Sequence, residues 1–209
     1  MDRLPILERR AQLVRAALVV ATRDGFEAAT VRAIAAEAGV SLGVVHYCFE
    51  DKNELLRELG EAITAQDHER VELARTTRPD ARAAVGDALA GAWAAIQEHR
   101  GTQLLSFELT TSALRHPELR GVATAQLARN LEESRDLLER AAAAAGVRWS
   151  VPITLLARFA VAALDGVALA WLVDDDDAAA QAALDSFADH IAMHAVPVTA
   201  TSAARPAGG

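Results

Sequence analysis

Between residues 30 and 52 the chain sets out short polar side chains at spacings that a helix turns to one side. Thr30, Arg32, Ser41, His46, Tyr47 and Lys52 all carry hydrogen-bond donors, and Gly43 stands among them with no side chain. Such a set suits a partner rich in anionic oxygens and flat hydrogen-bonding edges. Hydroxyls, a guanidinium and an ammonium take phosphate oxygens, while an imidazole can donate to or accept from a base edge. Leu42 and Val44 offer the apolar contact that a thymine methyl accepts. Catalysis finds no comparable support. No Ser/His/Asp or Cys/His arrangement has a nucleophile context, and no glycine loop is shaped to cradle phosphate. The expectation is a protein that is not an enzyme.

Metal chemistry is equally thin. His46 and Cys48 lie two apart on a helix, so their side chains diverge. His190 and His194 share a helix face but lack an evident third ligand. The run Asp174 to Asp177 lacks the spacing and glycine of a calcium loop, and reads as a solvated capping turn. No metal or cofactor is expected. Cys48 is the only cysteine, expected as a buried thiol rather than a redox sensor.

The elements that hold these residues are helices. Ala is abundant, aromatics make up only 4%, and Gly and Pro punctuate at long intervals. An all-α fold of nine helices follows. The first spans about Pro5 to Asp24, with Leu7, Ala11, Val14, Leu18 and Ala21 as its apolar stripe. Thr30 caps a second and Ser41 a short third, with Gly39 in the turn between them. In the third, Val45, Cys48 and Phe49 point inward, which leaves Leu42, Gly43, His46 and Tyr47 outward. Asp51 and Glu54 open a fourth helix from Lys52 to about Arg75. Five more follow: from Pro79 or Asp80 to before Gly101, Thr102 to Leu114, Pro117 to before Gly146, Pro152 to Val173, and Ala178 to His194. Two helices joined by a glycine-bearing turn form a helix-turn-helix, whose second helix fits the major groove of B-DNA. Residues 1–51 are thus expected as a helix-turn-helix domain and 52–195 as a helical effector-binding and dimerisation domain. Residues 196–209 are expected as a disordered tail.

The 209 residues carry a formal charge of -8, unevenly spread. Residues 1–60 hold eight Lys/Arg against nine Asp/Glu, and the rest hold thirteen against twenty. The amino-terminal part is nearly neutral, which does not exclude a nucleic-acid contact. No stretch of eighteen uninterrupted apolar residues occurs, and the first ten residues lack a signal-peptide core. A cytoplasmic location without membrane contact is the expectation.

The stretch "TVRAIAAEAGVSLGVVHYCFEDKNEL" resembles the DNA-binding signature of the TetR family of bacterial transcriptional regulators. Thr30, Ile34, Ala35, Ala38, Gly39, Val40, Ser41, Gly43, Phe49, Lys52 and Leu55 match that pattern. Two positions depart from it. His46 stands where Tyr is usual and Cys48 where His or Tyr is usual; Tyr47 can supply a phenol next door. "LRHPELRGVATAQLARNLEESRDLLE" and "ALDGVALAWLVDDDD" resemble the carboxyl-terminal half of members related to the class that includes choline-sensing regulators. Choline itself is not carried over. The resemblance implies a homodimer built on the last two helices, and a small-molecule cavity among helices four to eight.

Side-chain chemistry is compatible with both. Ala160, Leu164, Val167, Trp171, Leu184, Phe187 and Ile191 are candidates for the dimer interface, because they leave much apolar surface at the end of the chain. Trp93, Leu104, Phe107, Glu108, Thr111 and Phe159 are candidates for the effector pocket, with Glu108 as an anchor for a cationic or hydroxylated ligand. The functional expectation is a repressor that binds double-stranded palindromic operator DNA as a homodimer and is released by an effector. Net acidity and His46 leave an alternative open: a helical small-molecule-binding or interaction protein that has lost DNA binding.

Overall fold

The computed structural model describes residues 4–71 and 80–198, with backbone alone for 64–71. Nine α-helices are formed among the described residues: α1 Ile6–Asp24, α2 Val31–Glu37, α3 Leu42–Cys48, α4 Lys52–Val71, α5 Ala81–Glu98, α6 Arg100–Arg115, α7 Arg120–Ala145, α8 Ile153–Asp174 and α9 Asp177–Ala192. One-turn 3-10 helices at Phe26–Ala28 and Pro117–Leu119 precede α2 and α7. The expected end of α4 at Arg75 and the tail from residue 199 onward lie outside the described residues.

Local chemistry sets most boundaries. Thr30 accepts from the Ala33 amide, Asp80 from Ala83 and Asp176 from Ala179, each capping the helix it precedes. Asp51 accepts from the Glu54 amide at 2.7 Å, while the Glu54 carboxylate reaches back to the Glu50 amide at 2.6 Å. Gly146 ends α7 at φ 65°, a conformation a side chain would strain.

Two features depart from the sequence expectation. A two-stranded antiparallel ribbon pairs β1, Val147–Trp149, with β2, Ala195–Pro197. The chain is therefore regular at Val196, where a disordered tail was expected. Runs this short carry no period of their own and pair only in tertiary context. Here the Trp149 indole donates to the Leu138 carbonyl and fixes the ribbon against α7. The acidic run is also more than a solvated turn. Asp175 pairs with Arg100, and Asp177 accepts from both the Trp171 indole and the Gln97 amide at 2.8 Å. Arg100 lies 4.5 Å above the Trp171 ring, so the α8–α9 corner is clamped to the start of α6.

The expected stripe on α1 is out of phase. Leu7 and Ala11 are exposed, and the buried residues are Leu13, Ala16, Ala17, Val20 and Ala21. Ala, Val and Leu surround this helix on several sides, so its periodicity does not select one.

The core of the first three helices does not stop at residue 51. Leu13, Ile34, Val45 and Phe49 are continuous with Leu55, Leu59 and Ile63 of α4 and with Leu105 and Leu109 of α6. Two further clusters lie among α5, α7, α8 and α9. At the seam between the halves, a Cβ on Gly60 of α4 would stand 2.5 Å from Val122 Cγ1 and 3.4 Å from Leu109. Glycine allows α4 to touch α6 and α7 there. Gly60→Ala should therefore cost about 1–3 kcal/mol through overpacking, measured as a fall of several degrees in Tm by thermal denaturation.

Candidate nucleic-acid interface and effector cavity

The candidate reading face is built from beneath. Val45, Cys48 and Phe49 are buried under α3, as their spacing requires. Their burial turns His46 and Tyr47 outward, and Tyr47 is 71% exposed. Thr30, Arg32, Ser41, Leu42, Gly43 and Lys52 are also exposed, while Val44 is half-buried against the core. Thr30 is partly spent as the cap of α2. Ser41 holds the cap position of α3 but makes no capping bond, so its hydroxyl is available. A Cβ on Gly43 would meet only the Ser41 hydroxyl at 3.8 Å, and the backbone there is open to a partner.

The carboxylates near this face are largely engaged within the protein. Arg23 holds Glu37, and Arg10 holds Glu54 and Glu58. Arg32 and Lys52 are exposed beside α3, as are the acids Glu50 and Asp51 at its end.

Arg10 is the staple of this region. Its guanidinium donates to the Cys48 carbonyl at 2.6 Å, to Glu54 at 2.5 Å and to Glu58, and lies 4.4 Å above the Phe49 ring. One side chain of α1 thereby ties the end of α3 to the start of α4. The bond from Arg10, and then the one from the Glu50 amide, hold the Glu54 carboxyl below its ordinary 4.5. Burial pushes the Cys48 thiol up, away from the reactive thiolate.

A second joint links this head to α6. Glu108 accepts from the Phe26 amide at 2.6 Å, and the Ser112 hydroxyl donates to Glu27 at 2.7 Å. Glu108 thus anchors the turn between α1 and α2, which differs from its expected place in a pocket.

A cavity of about 160 Å³ opens among α5, α6, α7 and α8. None of the six expected pocket residues lines it. Trp93 packs edge-on to Trp171 at 5.2 Å, and Phe159 edge-on to Phe187 at 5.3 Å. Phe107 packs in the cluster of Trp93, Leu104 is exposed, and the Thr111 hydroxyl donates to the Phe107 carbonyl. The rare aromatics fill core, while the space opens where Ala88, Ala92, Ala95 and Ala141 leave it. Polar groups on its wall include His99, Gln103, Ser106, Asn130 and Asp165. A lone acid in the apolar stretch "ALDGVALAW" was the signal for Asp165, the same signal that drew notice to Glu108.

The candidate dimer residues are also displaced. Ala160, Val167, Trp171, Leu184 and Ile191 are buried within the protomer, and Leu164 and Phe187 are half-buried. Outward on α8 lie Leu155, Ala162, Gly166, Leu169 and Val173, the last 83% exposed. A groove beside them is lined by Ala162, Gly166 and Ala170 of α8 and by Ala179, Ala183 and Phe187 of α9. Among the described residues α8 is the one helix long and apolar enough to cross a membrane. It is apolar on two sides, and only one of them meets its own core.

Comparison with known proteins gives a consistent result. Residues 13–59 match the bacterial regulatory proteins of the tetR family, and residues 80–190 match the tetracyclin repressor-like C-terminal domain. The nicotine-responsive transcriptional repressor HdnoR of Paenarthrobacter nicotinovorans is 30% identical over 84% of this chain and 89% of its own length. The transcriptional regulator BetI of Escherichia coli is 43% identical over 58 residues, which is 28% of this chain and 30% of BetI. The multidrug binding protein EbrR, solved with imidazole, superposes with a TM-score of 0.69 at 28% identity, over 92% of this chain and 93% of that one.

Removing the staple tests this account of the head. Arg10→Ala should destabilise the protein by about 1–2 kcal/mol, allowing for solvent screening of a partly exposed group. A carboxyl depressed by folding stabilises above its ordinary 4.5 and loses that contribution as pH falls below it. The difference in Tm between wild type and Arg10→Ala should therefore shrink below that pH, as followed by circular dichroism melts. Cys48 should resist alkylation in the native protein and react at once when it is unfolded in guanidinium.

Proposed function

Since the chain belongs to the TetR family of bacterial regulatory proteins, and so is a DNA-binding transcriptional regulator, we propose the following mode of action. It represses by binding a palindromic operator as a homodimer, and a small molecule entering the cavity releases it. The observation that carries this reading is the exposed face of α3. His46 and Tyr47 stand outward on a helix anchored from below, with Arg32 and Lys52 flanking it. His46 and Leu42 meet base edges in the major groove, while Lys52, Ser41 and Tyr47 meet phosphate.

The outer face of α8 and its groove with α9 supply the pairing surface. Small residues at Ala162, Gly166 and Ala170 let a second copy of the same helices approach closely, and an isologous four-helix contact covers the apolar side that the protomer leaves open. Two reading helices about 34–36 Å apart then enter successive major grooves.

Helix α6 gives the two sites a physical link. Gln103 and Ser106 line the cavity, while Glu108 and Ser112 on the same helix hold the α1–α2 turn. A rigid rod of about 14 Å spans these contacts. A ligand that shifts α6 moves the head with it, and a coupling of about 1–3 kcal/mol suffices for an effector response. The nicotine-responsive relative and the drug-binding neighbour support a small-molecule effector.

Fluorescence anisotropy with DNA from upstream of the gene, compared with random duplex, tests DNA binding. Affinity should fall steeply as salt rises. Lys52→Ala should weaken binding to all sequences and reduce the salt slope by about one per protomer. His46→Ala should instead change the preference among sites. If neither variant alters binding, α3 is not the reading helix. Gly166→Arg should convert the dimer to folded monomers in sedimentation velocity and abolish tight operator binding. A Gly166→Arg protein that still pairs would remove α8 from the interface.

A further inference from the structure

The cavity that the proposed function assigns to an effector has a chemical bias of its own. Asp165 sits midway along α8 on the cavity wall, beside Val161 and Leu164. Among the described residues no hydrogen-bond donor and no cation reaches its carboxylate, and burial alone pushes its carboxyl up from the ordinary range. Among the described residues no Lys or Arg lines the cavity, and His99 is the one basic side chain on its wall. The rest of the lining is chiefly aliphatic. Asp165 is half-buried among aliphatic side chains, where a carboxylate is less well solvated than in water, and a bound positive charge offsets that loss. An anion meets the opposite situation, with the Asp165 carboxylate on the wall and no Lys or Arg there among the described residues.

Size narrows the class further. A cavity of about 150 Å³ in an apolar core accommodates a single benzene-sized ring, and this one is about 160 Å³. The walls that would flank such a ring are Leu89 and Ala92 of α5, Leu137 of α7 and Leu164 of α8.

We propose that the effector is a small organic cation, a protonated amine or quaternary ammonium on an apolar body of about one ring, with Asp165 as its counter-ion. This rests on the cavity being the effector site. The cationic centre lies against the carboxylate, and the ring lies in the space that the alanines leave. Asn130 and Gln103, also on the wall, remain for any polar substituent on the ring.

Three probes of nearly one shape separate charge from shape: benzylammonium, benzyl alcohol and benzoate, each titrated calorimetrically into the full-length protein at neutral pH. Wild type should bind benzylammonium about tenfold or more tighter than benzyl alcohol, as a charge-assisted bond implies, and should not bind benzoate. Asp165→Asn should remove that preference and leave the alcohol within about twofold. Asp165→Glu should retain it, which guards against a loss of fold in the amide variant. Equal binding of cation and alcohol by wild type, an unchanged preference in Asp165→Asn, or no binding of benzylammonium at millimolar concentration would each overturn the proposal. Ala92→Trp, which fills the cavity, identifies which statement has failed. If it abolishes binding of probes that show no charge preference, the cavity remains the effector site and only the cation assignment is lost. If the probes bind Ala92→Trp as they bind wild type, the cavity is not their site and both statements fall.

Discussion

Helix α3, the proposed reading helix, has seven residues, two turns, and no isolated helix of that length is stable in water. Its orientation has to be imposed from outside, and the Arg10 guanidinium imposes much of it. From α1 it reaches the last carbonyl of α3, two carboxylates of α4 and the face of Phe49. Each contact satisfies a group that would otherwise be left open, and together they fix the angle between α3 and α4. The same pairing sets one positive charge against the two carboxylates of Glu54 and Glu58. A single side chain thus both aims the helix and reduces the negative field beside it, the two conditions a phosphate-facing surface needs.

From α4 and α6 that rigidity passes into the larger half. The core beneath the head continues through Leu55, Leu59, Leu105 and Leu109, so head and body share one packed interior. Polar contacts reinforce the seam, with Glu108 and Ser112 of α6 holding the α1–α2 turn, while Gly60 permits the closest approach of α4. These contacts are the physical basis of the proposed coupling, in which a displaced α6 would move the head. The cavity, left open by alanines, is a place on that helix where an added molecule finds room.

How much of this was legible in the sequence depended on whether a segment had a phase. Residues 30–55 did. Their glycine turn, caps and alternation of Val45, Cys48 and Phe49 with polar neighbours fixed inside from outside, and the outward placement of His46 and Tyr47 follows. Helices rich in Ala, Val and Leu on every side had none. That is why the stripe on α1 was set off by part of a turn, and why Trp171, Leu184 and Ile191 were placed on the outside of α8 and α9 although they face inward. The aromatics misled for a related reason: in a chain with few of them they are needed to fill core, and voids form where side chains are small. The ribbon of Val147–Trp149 and Ala195–Pro197 was invisible, since three-residue strands exist only once both ends have been brought together. Glu108 and Asp165 carried the same signal, a lone acid in an apolar run. Only the fold tells that one is satisfied by a backbone amide and the other is not.

The two-sided oiliness of α8 reaches beyond packing. A newly made chain that closes its own interior still has one greasy flank in water, and while copies are few that flank stays wet. If two copies pair there, as proposed, mass action would link operator-competent molecules to the square of the chain concentration when copies are scarce. Doubling the concentration from a low level would nearly quadruple the active form, and halving it would do the reverse. A gene silenced by such a molecule would respond to abundance more like a threshold than a dial, a property written into the side of one helix rather than into the promoter.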